Sequence, residues 1–321
     1  MIDRVNLTDT GLSVTKLCFG SSALGDMPAT YGYSVDEERA LETINAIFDS
    51  PINFLDSSRI YGFGQSEERI GKVIKARGGL PSGFVLATKL DRDPHTNCFD
   101  ADQARRSLEQ SLTALNLDSI PVLHLHDPEH ARSLEEIEGS GGAIETLLRF
   151  KEEGLCQAVG LAMGRLDLMH ALVKAFDFDL ILNHNRYTLL NRSASELYDY
   201  ARSRGIATLN AAPYAGGVLA KGAAVMPQIS YSPADDDALT GVRSIEAICA
   251  RYAVAPGAVA LQFSMRDPRI DSTVVGVSTA SRVSTTLEWA ETEIPAALWQ
   301  EIDALPFETT DPEANREYNP G

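Results

Sequence analysis

Eight short apolar runs alternate with eight stretches of helical period along this chain, and no other feature narrows its fold so far. The runs are Leu17–Leu24, the segment ending at Asp56, Phe84–Leu90, the segment ending at His126, Cys156–Met163, Leu180–Tyr187, Ile206–Tyr214 and Ser272–Val277. They are short and β-branched, and they read as buried on both faces, as parallel strands covered by helices must be. Between them lie Ser34–Ser50, with Leu41, Ile44, Ile47 and Phe48 on one face, and Ser66–Lys75 with Ser66 as N-cap. Then come Ala101–Asn116, Gly141–Gly154 closed by its last glycine, Leu166–Phe176, Ser193–Gly205 capped by Ser193 or Ser195, Val242–Tyr252 and Thr279–Ala290. Eight strand–helix units in about 280 residues predict an α/β fold, a (β/α)8 TIM barrel rather than a doubly wound sheet. Ahead of them, Val5–Leu7 and Val14–Leu17 flank Asp9-Thr10-Gly11 and predict a β-hairpin, residues 1–16, capping the bottom of the barrel. No break in composition divides residues 1–321, so one domain is expected, with an irregular, Pro- and acid-rich C-terminal tail at 307–321.

Charge and composition exclude several classes of function. The chain carries a net charge of −17 and has a pI near 4.7, which repels nucleic acids and anionic membranes. No apolar run is long enough to span a membrane and no signal peptide pattern opens the chain, so a cytoplasmic protein with a small-molecule substrate is expected. The four cysteines, Cys18, Cys98, Cys156 and Cys249, form no CxxC motif. His95, His130 and His170 lack metal-ligand spacing, so no metal is expected. Nothing in the sequence sets the oligomeric state.

The ends of the second, third and fourth strands carry the chemistry. They deliver Asp56, Lys89 and His126, and Tyr61 follows Asp56 by five residues. In α/β folds the C-terminal edge of the sheet is where ligands bind. A phenol with a pKa near 10 is a poor acid or base at neutral pH, but a nearby ammonium stabilises its phenolate. Lys89 supplies that charge in this reading, Asp56 anchors Lys89, and His126 hydrogen-bonds the same substrate oxygen as Tyr61. Each residue alone has a plainer reading: an ion pair in the scaffold, a loop anchor, a capping turn at His126-Asp127-Pro128. Their joint placement favours a proton-transfer device for a C–O centre.

These segments, NFLDSSRIYGFGQSEERIGKVI, VLATKL, VLHLHDP and LLRFKEEGLCQAVGLA, resemble the aldo-keto reductase superfamily over about residues 5 to 305. The resemblance implies a barrel that binds NAD or NADP without a Rossmann fold, and hydride transfer between nicotinamide C4 and a carbonyl carbon, with Asp56, Tyr61, Lys89 and His126 catalytic. NRYTLL and NAAPYAGGVLAKG look most like the group of aldose, L-galactose and pyridoxal dehydrogenases, which implies oxidation at C1 of an aldose. A broad aldehyde or ketone reductase is the alternative, and a nucleotide-sensing regulatory subunit with slow chemistry a third.

The same resemblance places cofactor contacts at His184, Tyr187, Ala212, Pro213, Gly276, Ser278 and Arg282, while Gly216-Gly217 reads either as a hinge or phosphate-approach loop or as a plain turn. Gly160-Leu-Ala-Met163 is apolar where the family often holds the nicotinamide amide. His184 is the nearest match to a glutamine of the sixth strand. Ser278 stands where related dehydrogenases often have arginine, leaving Arg282 as the cation for a 2′-phosphate or as a plain surface residue, and favouring NAD slightly. Specificity is expected in the loops Asp26–Tyr33, Asp91–Asp100 and Lys221–Thr240, where Tyr31, Tyr33 and Tyr231 are either pocket walls or exposed loop aromatics.

Overall fold

The computed structural model describes residues 2–314. Eight parallel strands close into a barrel: β3 (Leu17–Gly20), β4 (Phe54–Asp56), β5 (Val85–Leu90), β6 (Ile120–His126), β7 (Cys156–Ala162), β8 (Leu180–His184), β9 (Ala207–Ala211) and β12 (Ser272–Gly276), with β12 beside β3. The hairpin strands β1 (Arg4–Asn6) and β2 (Ser13–Thr15) pair antiparallel, and β10 (Gln228–Ile229) pairs with β11 (Ser232–Pro233) in a late loop. The predicted TIM barrel is therefore the fold.

Two cores hold it. Val14, Leu7 and Leu12 of the hairpin pack into the barrel lumen against Cys18, Phe54, Val85, Val122, Ala158, Leu180 and Leu209, closing the end where the strands begin. A larger core lies between the strands' outer faces and the helices, and includes Phe19, Leu86, Leu123, Ile181 and Val275. Inward and outward residues alternate along every strand, so the lumen side chains come in layers. On β5 the inward set runs Val85, Ala87, Lys89, and on β6 it runs Val122, His124, His126. Lys89 pairs with His124 across the ladder, as Ala87 does with Val122. The uppermost inward layer thus contains Asp56, Lys89, His126 and His184 beside small residues.

The strands are shorter than their apolar runs, and backbone geometry explains it. Asp127, Asn185 and Ala212 follow β6, β8 and β9 with φ of +43°, +60° and +56°, a left-handed conformation uncommon outside glycine. Each turns the chain out of the sheet at the barrel rim. The run Leu17–Leu24 likewise ends as strand at Gly20 and continues as a 3-10 turn over Ser22–Gly25.

Most predicted helices are present with shifted ends. Ser66 is not an N-cap: the helix Gln65–Arg77 starts after Gly64, and Ser66 is buried within it, against Ser21. Ser193 and Ser195 do not cap Ser195–Arg204, whose N-cap is Ala194; Ser193 instead hydrogen-bonds Asn191. Asp36 and Asp100 cap Glu37–Phe48 and Ala101–Leu115 through their side chains, and Thr279 caps Ala280–Glu291. The helix Pro256–Met265 escaped the sequence reading because it is buried on most of its surface, so its apolar residues trace no single face. Residues 307–314 contain no helix or multi-residue strand, but Asn191 bridges Glu308, which ties this segment across the rim near β8. Residues 315–321 of the predicted tail lie outside the described residues.

Candidate active site

The ends of β4, β5 and β6 bring the four expected residues together. Lys89 Nζ donates to Asp56 Oδ1 at 2.7 Å, to the Ser57 carbonyl at 2.5 Å and to the Tyr61 hydroxyl at 3.3 Å. The rings of Tyr61 and His126 meet edge to face, with centroids 5.8 Å apart. Lys89 and Asp56 are buried, at 1% and 3% exposure. Burial pushes the Asp56 carboxyl up, and the Lys89 charge and hydrogen bond oppose it. A buried ammonium and carboxylate are tolerable only as such a pair.

Tyr61 sits on a turn that only glycine can close. Gly62 takes φ +58°, and a Cβ there would come within 1.7 Å of the Gly25 carbonyl oxygen. The turn is anchored below by Arg59, whose guanidinium reaches Glu67 at 3.3 Å. Thr88 Oγ1 donates to the fully buried Glu67 at 2.5 Å. The strand carrying Lys89 and the loop carrying Tyr61 are thus joined through one carboxylate.

Asp91 is a residue of this cluster that the sequence reading missed. His126 Nδ1 lies 2.6 Å from Asp91 Oδ1, while the Ser58 hydroxyl and the Ile60 N–H donate to Asp91 Oδ2 at 2.6 and 2.9 Å. A carboxylate can only accept, so Nδ1 carries the proton toward Asp91 and Nε2 is directed at the ligand side. The one available signal was its place two residues after Lys89, at the start of what reads as a polar loop.

Tyr61, Lys89 and His126 line a cavity of about 590 Å³. The cavity runs to the start of the helix Ala280–Glu291, whose free N–H groups suit a phosphate. His184, Ala212, Gly216, Gly276, Ser278 and Arg282 of the expected cofactor set also line it, whereas Tyr187 and Pro213 do not. Tyr187 turns away from the lumen. Its ring stacks on Phe263 at 5.2 Å and its hydroxyl hydrogen-bonds Asp267 at 2.5 Å. At Gly276 an added Cβ would meet nothing within 4 Å, so open space faces the cavity there. The long cavity, the helix start and the cations at that end fit a dinucleotide.

Those cations are more numerous than the sequence suggested. Arg39, on the helix Glu37–Phe48, donates through Nε to the Ser278 carbonyl at 2.6 Å and through Nη2 to the Ser278 hydroxyl at 3.3 Å. Arg39, Lys221 and Arg282 all line the cavity. Arg243, on the nearby helix Thr240–Arg251, does not line the cavity and ion-pairs with Asp236. Tyr31, Tyr33 and Tyr231 also line the cavity. Tyr31, which ends the short helix Pro28–Tyr31, packs against Tyr33 and Tyr231 at 5.9 and 6.3 Å, so two distant chain segments meet over one wall.

His184 is held from behind. Its Nδ1 lies 3.0 Å from Glu313 Oε1, which also accepts from Asn185 at 2.7 Å and from Arg186 at 3.3 Å. Asn183 is spent on structure, donating to the Met163 and Gly164 carbonyls. His184 is therefore the polar group that the top of β8 offers the cavity.

Comparison with known proteins agrees with this architecture. The model of the Aldo/keto reductase family matches residues 16–306. L-galactose dehydrogenase of Arabidopsis thaliana is 32% identical over 280 residues, covering 86% of this chain and 84% of that protein. D-threo-aldose 1-dehydrogenase of a Pseudomonas species is 28% identical over 319 residues, covering 91% and 94%. The solved structure of the aldo-keto reductase AKR11C1 from Bacillus halodurans, in its holo form, superposes with a TM-score of 0.77 at 21% identity, covering 99% and 100% of the two chains. That last likeness is one of fold.

Proposed function

The chain belongs to the aldo/keto reductase family and is an NAD(P)-dependent oxidoreductase, and on that premise we propose that it oxidises C1 of a cyclic aldose to the lactone. Tyr61 is the general acid/base of this reading. The observation that carries it is a single ammonium, Lys89 Nζ, within hydrogen-bond reach of both Asp56 and Tyr61 at the floor of the cavity. Bound nicotinamide, when oxidised, supplies the hydride acceptor. The protein's own part is the proton. The anomeric hydroxyl gives its proton to the Tyr61 oxygen as the C1–H bond breaks and the C=O bond forms. The Lys89 charge stabilises the phenolate that receives it. Asp56 pairs with Lys89 and fixes it, and Asp91 fixes the His126 ring so that Nε2 meets the same substrate oxygen.

The two dehydrogenases named above act, by their names, on L-galactose and on D-threo-aldoses, which supports a sugar as substrate. Either nucleotide is proposed. Ser278 argued for NAD in the sequence, and Arg39 beside it supplies a charge that a 2′-phosphate would use. The test is nucleotide reduction followed by absorbance with L-galactose and L-fucose, and the reverse reaction with simple aldehydes. Faster aldehyde reduction than sugar oxidation would replace the sugar by the broad reductase reading.

A further inference from the structure

On the reading that the cavity takes a cyclic sugar, one charged group in its wall remains without a task. Asp127 follows His126 directly, lines the cavity and is 6% exposed. Its N–H still bonds the Ala162 carbonyl at 2.9 Å, as part of the β6–β7 ladder. Its φ of +43° then turns the chain out of the strand. Among the described residues no N–H or O–H donates a hydrogen bond to its carboxylate; His126 Nε2 stands 3.6 Å away, just past hydrogen-bond reach. Burial disfavours the charged form of Asp127, yet the surrounding His126, His184, His130 and Arg92 outweigh burial and keep it ionised.

A buried carboxylate with open acceptor sites is costly unless something donates to it. Apolar substrates would leave it desolvated and unpaired, and anionic ones would be repelled. A cationic substrate would face Lys89 on the floor of the same cavity. Hydroxyls remain. The separation of Asp127 from His126 Nε2 suits two neighbouring ring hydroxyls, one at the reacting carbon and one beside it. We propose that Asp127 accepts a hydrogen bond from a substrate hydroxyl next to the reacting one, and so makes the enzyme selective for polyhydroxylated substrates.

The test compares two hemiacetals with the same reacting centre. L-galactose carries the extra hydroxyls, and 2-hydroxytetrahydropyran carries none. The quantity read is the ratio of their kcat/KM values, in wild type and in Asp127→Asn, a residue that also tolerates the left-handed backbone. Calorimetric titration with the nucleotide reports whether the variant keeps its fold and cofactor site. A hydrogen bond to a charged group contributes about 1.5–3 kcal/mol, so the ratio should fall roughly tenfold to over a hundredfold in the variant. A ratio unchanged while both substrates slow equally would overturn the inference and make Asp127 a support for His126. A wild type favouring 2-hydroxytetrahydropyran would overturn it as well. Absence of turnover with either hemiacetal in wild type that binds nucleotide would instead overturn the proposed sugar oxidation beneath it.

Discussion

His184 Nδ1 and Glu313 Oε1 lie 3.0 Å apart although 129 positions separate them in the chain. The contact joins the top of the sixth barrel strand to the segment that crosses the rim at its end. Burial pushes the Glu313 carboxyl up, but the His184 charge and hydrogen bond, with Arg186 and Asn185, hold it far below its ordinary range. Burial pulls His184 down, but Glu313 wins and raises it. Arg186 also pairs with Asp311 at 2.7 Å, so the segment is held at two acids.

The pH dependence follows from these two directions. A depressed carboxyl contributes stability that is complete above its unfolded value near 4.5 and is lost as pH falls through the folded one. A raised imidazole contributes stability that is complete below its unfolded value near 6.5 and is lost as pH rises through the folded one. The link is strongest between them. Glu313→Gln is expected to destabilise the protein by about 1.5–3 kcal/mol, with the largest difference from wild type at about pH 5–6. Denaturant melts across pH 4.5–8 would check this; a difference that grows steadily above pH 7 contradicts the pairing.

Tyr61→Phe should abolish turnover while nucleotide binding stays close to wild type. The ring can remain against His126, and only the proton carrier is lost. Removal of a positioned acid/base costs roughly 10²–10⁴ in rate. The check is kcat together with nucleotide affinity by calorimetry. Turnover within tenfold of wild type would assign the proton to another group.

Lys89→Met should slow oxidation and move its pH optimum upward, because the phenolate at Tyr61 then forms without the ammonium 3.3 Å away. Met also leaves Asp56 buried without its partner, so Asp56→Asn/Lys89→Met is the fairer background for folding. The alkaline limb of kcat is the reading that matters. An unchanged limb would show that Lys89 does not set the phenol's acidity.

The fold was legible because each buried parallel strand leaves an apolar run and each covering helix leaves a periodic one. The tetrad was legible because Asp56, Lys89 and His126 each sit where such a run ends. What escaped depends on contacts that chain order does not display. Asp91 begins a stretch, DRDPHTN, with the composition of a solvated loop, yet it is 3% exposed and orients His126. Glu313 lies in an acid- and proline-rich tail of the same kind. Arg39 reads as one charge on an exposed helix face. Only the pairing of β12 with β3 brings it to Ser278, across 239 positions. Tyr187 erred the other way. The family resemblance places it among the cofactor contacts, but Asn185 turns left-handed first and the ring lands outside the barrel on Phe263.

Arg39 sets the last expectation, the choice between nucleotides. Its guanidinium is fixed by the Ser278 carbonyl and hydroxyl, and it lines the cavity together with Arg282, where the helix Ala280–Glu291 begins. A 2′-phosphate seated there meets a cation that the residues after β12 do not themselves supply. Arg39→Ala should lower kcat/KM for NADP more than for NAD. A charge-assisted hydrogen bond contributes about 1.5–3 kcal/mol, so the preference should shift by roughly tenfold to over a hundredfold. The NADP value of wild type should also fall faster with added salt than the NAD value, since exposed charges are screened over about 10 Å at 0.1 M. Equal losses for both nucleotides in Arg39→Ala would show that Arg39 braces the Ser278 turn without reading the phosphate, and Arg282 and Lys221 would be the next side chains to replace.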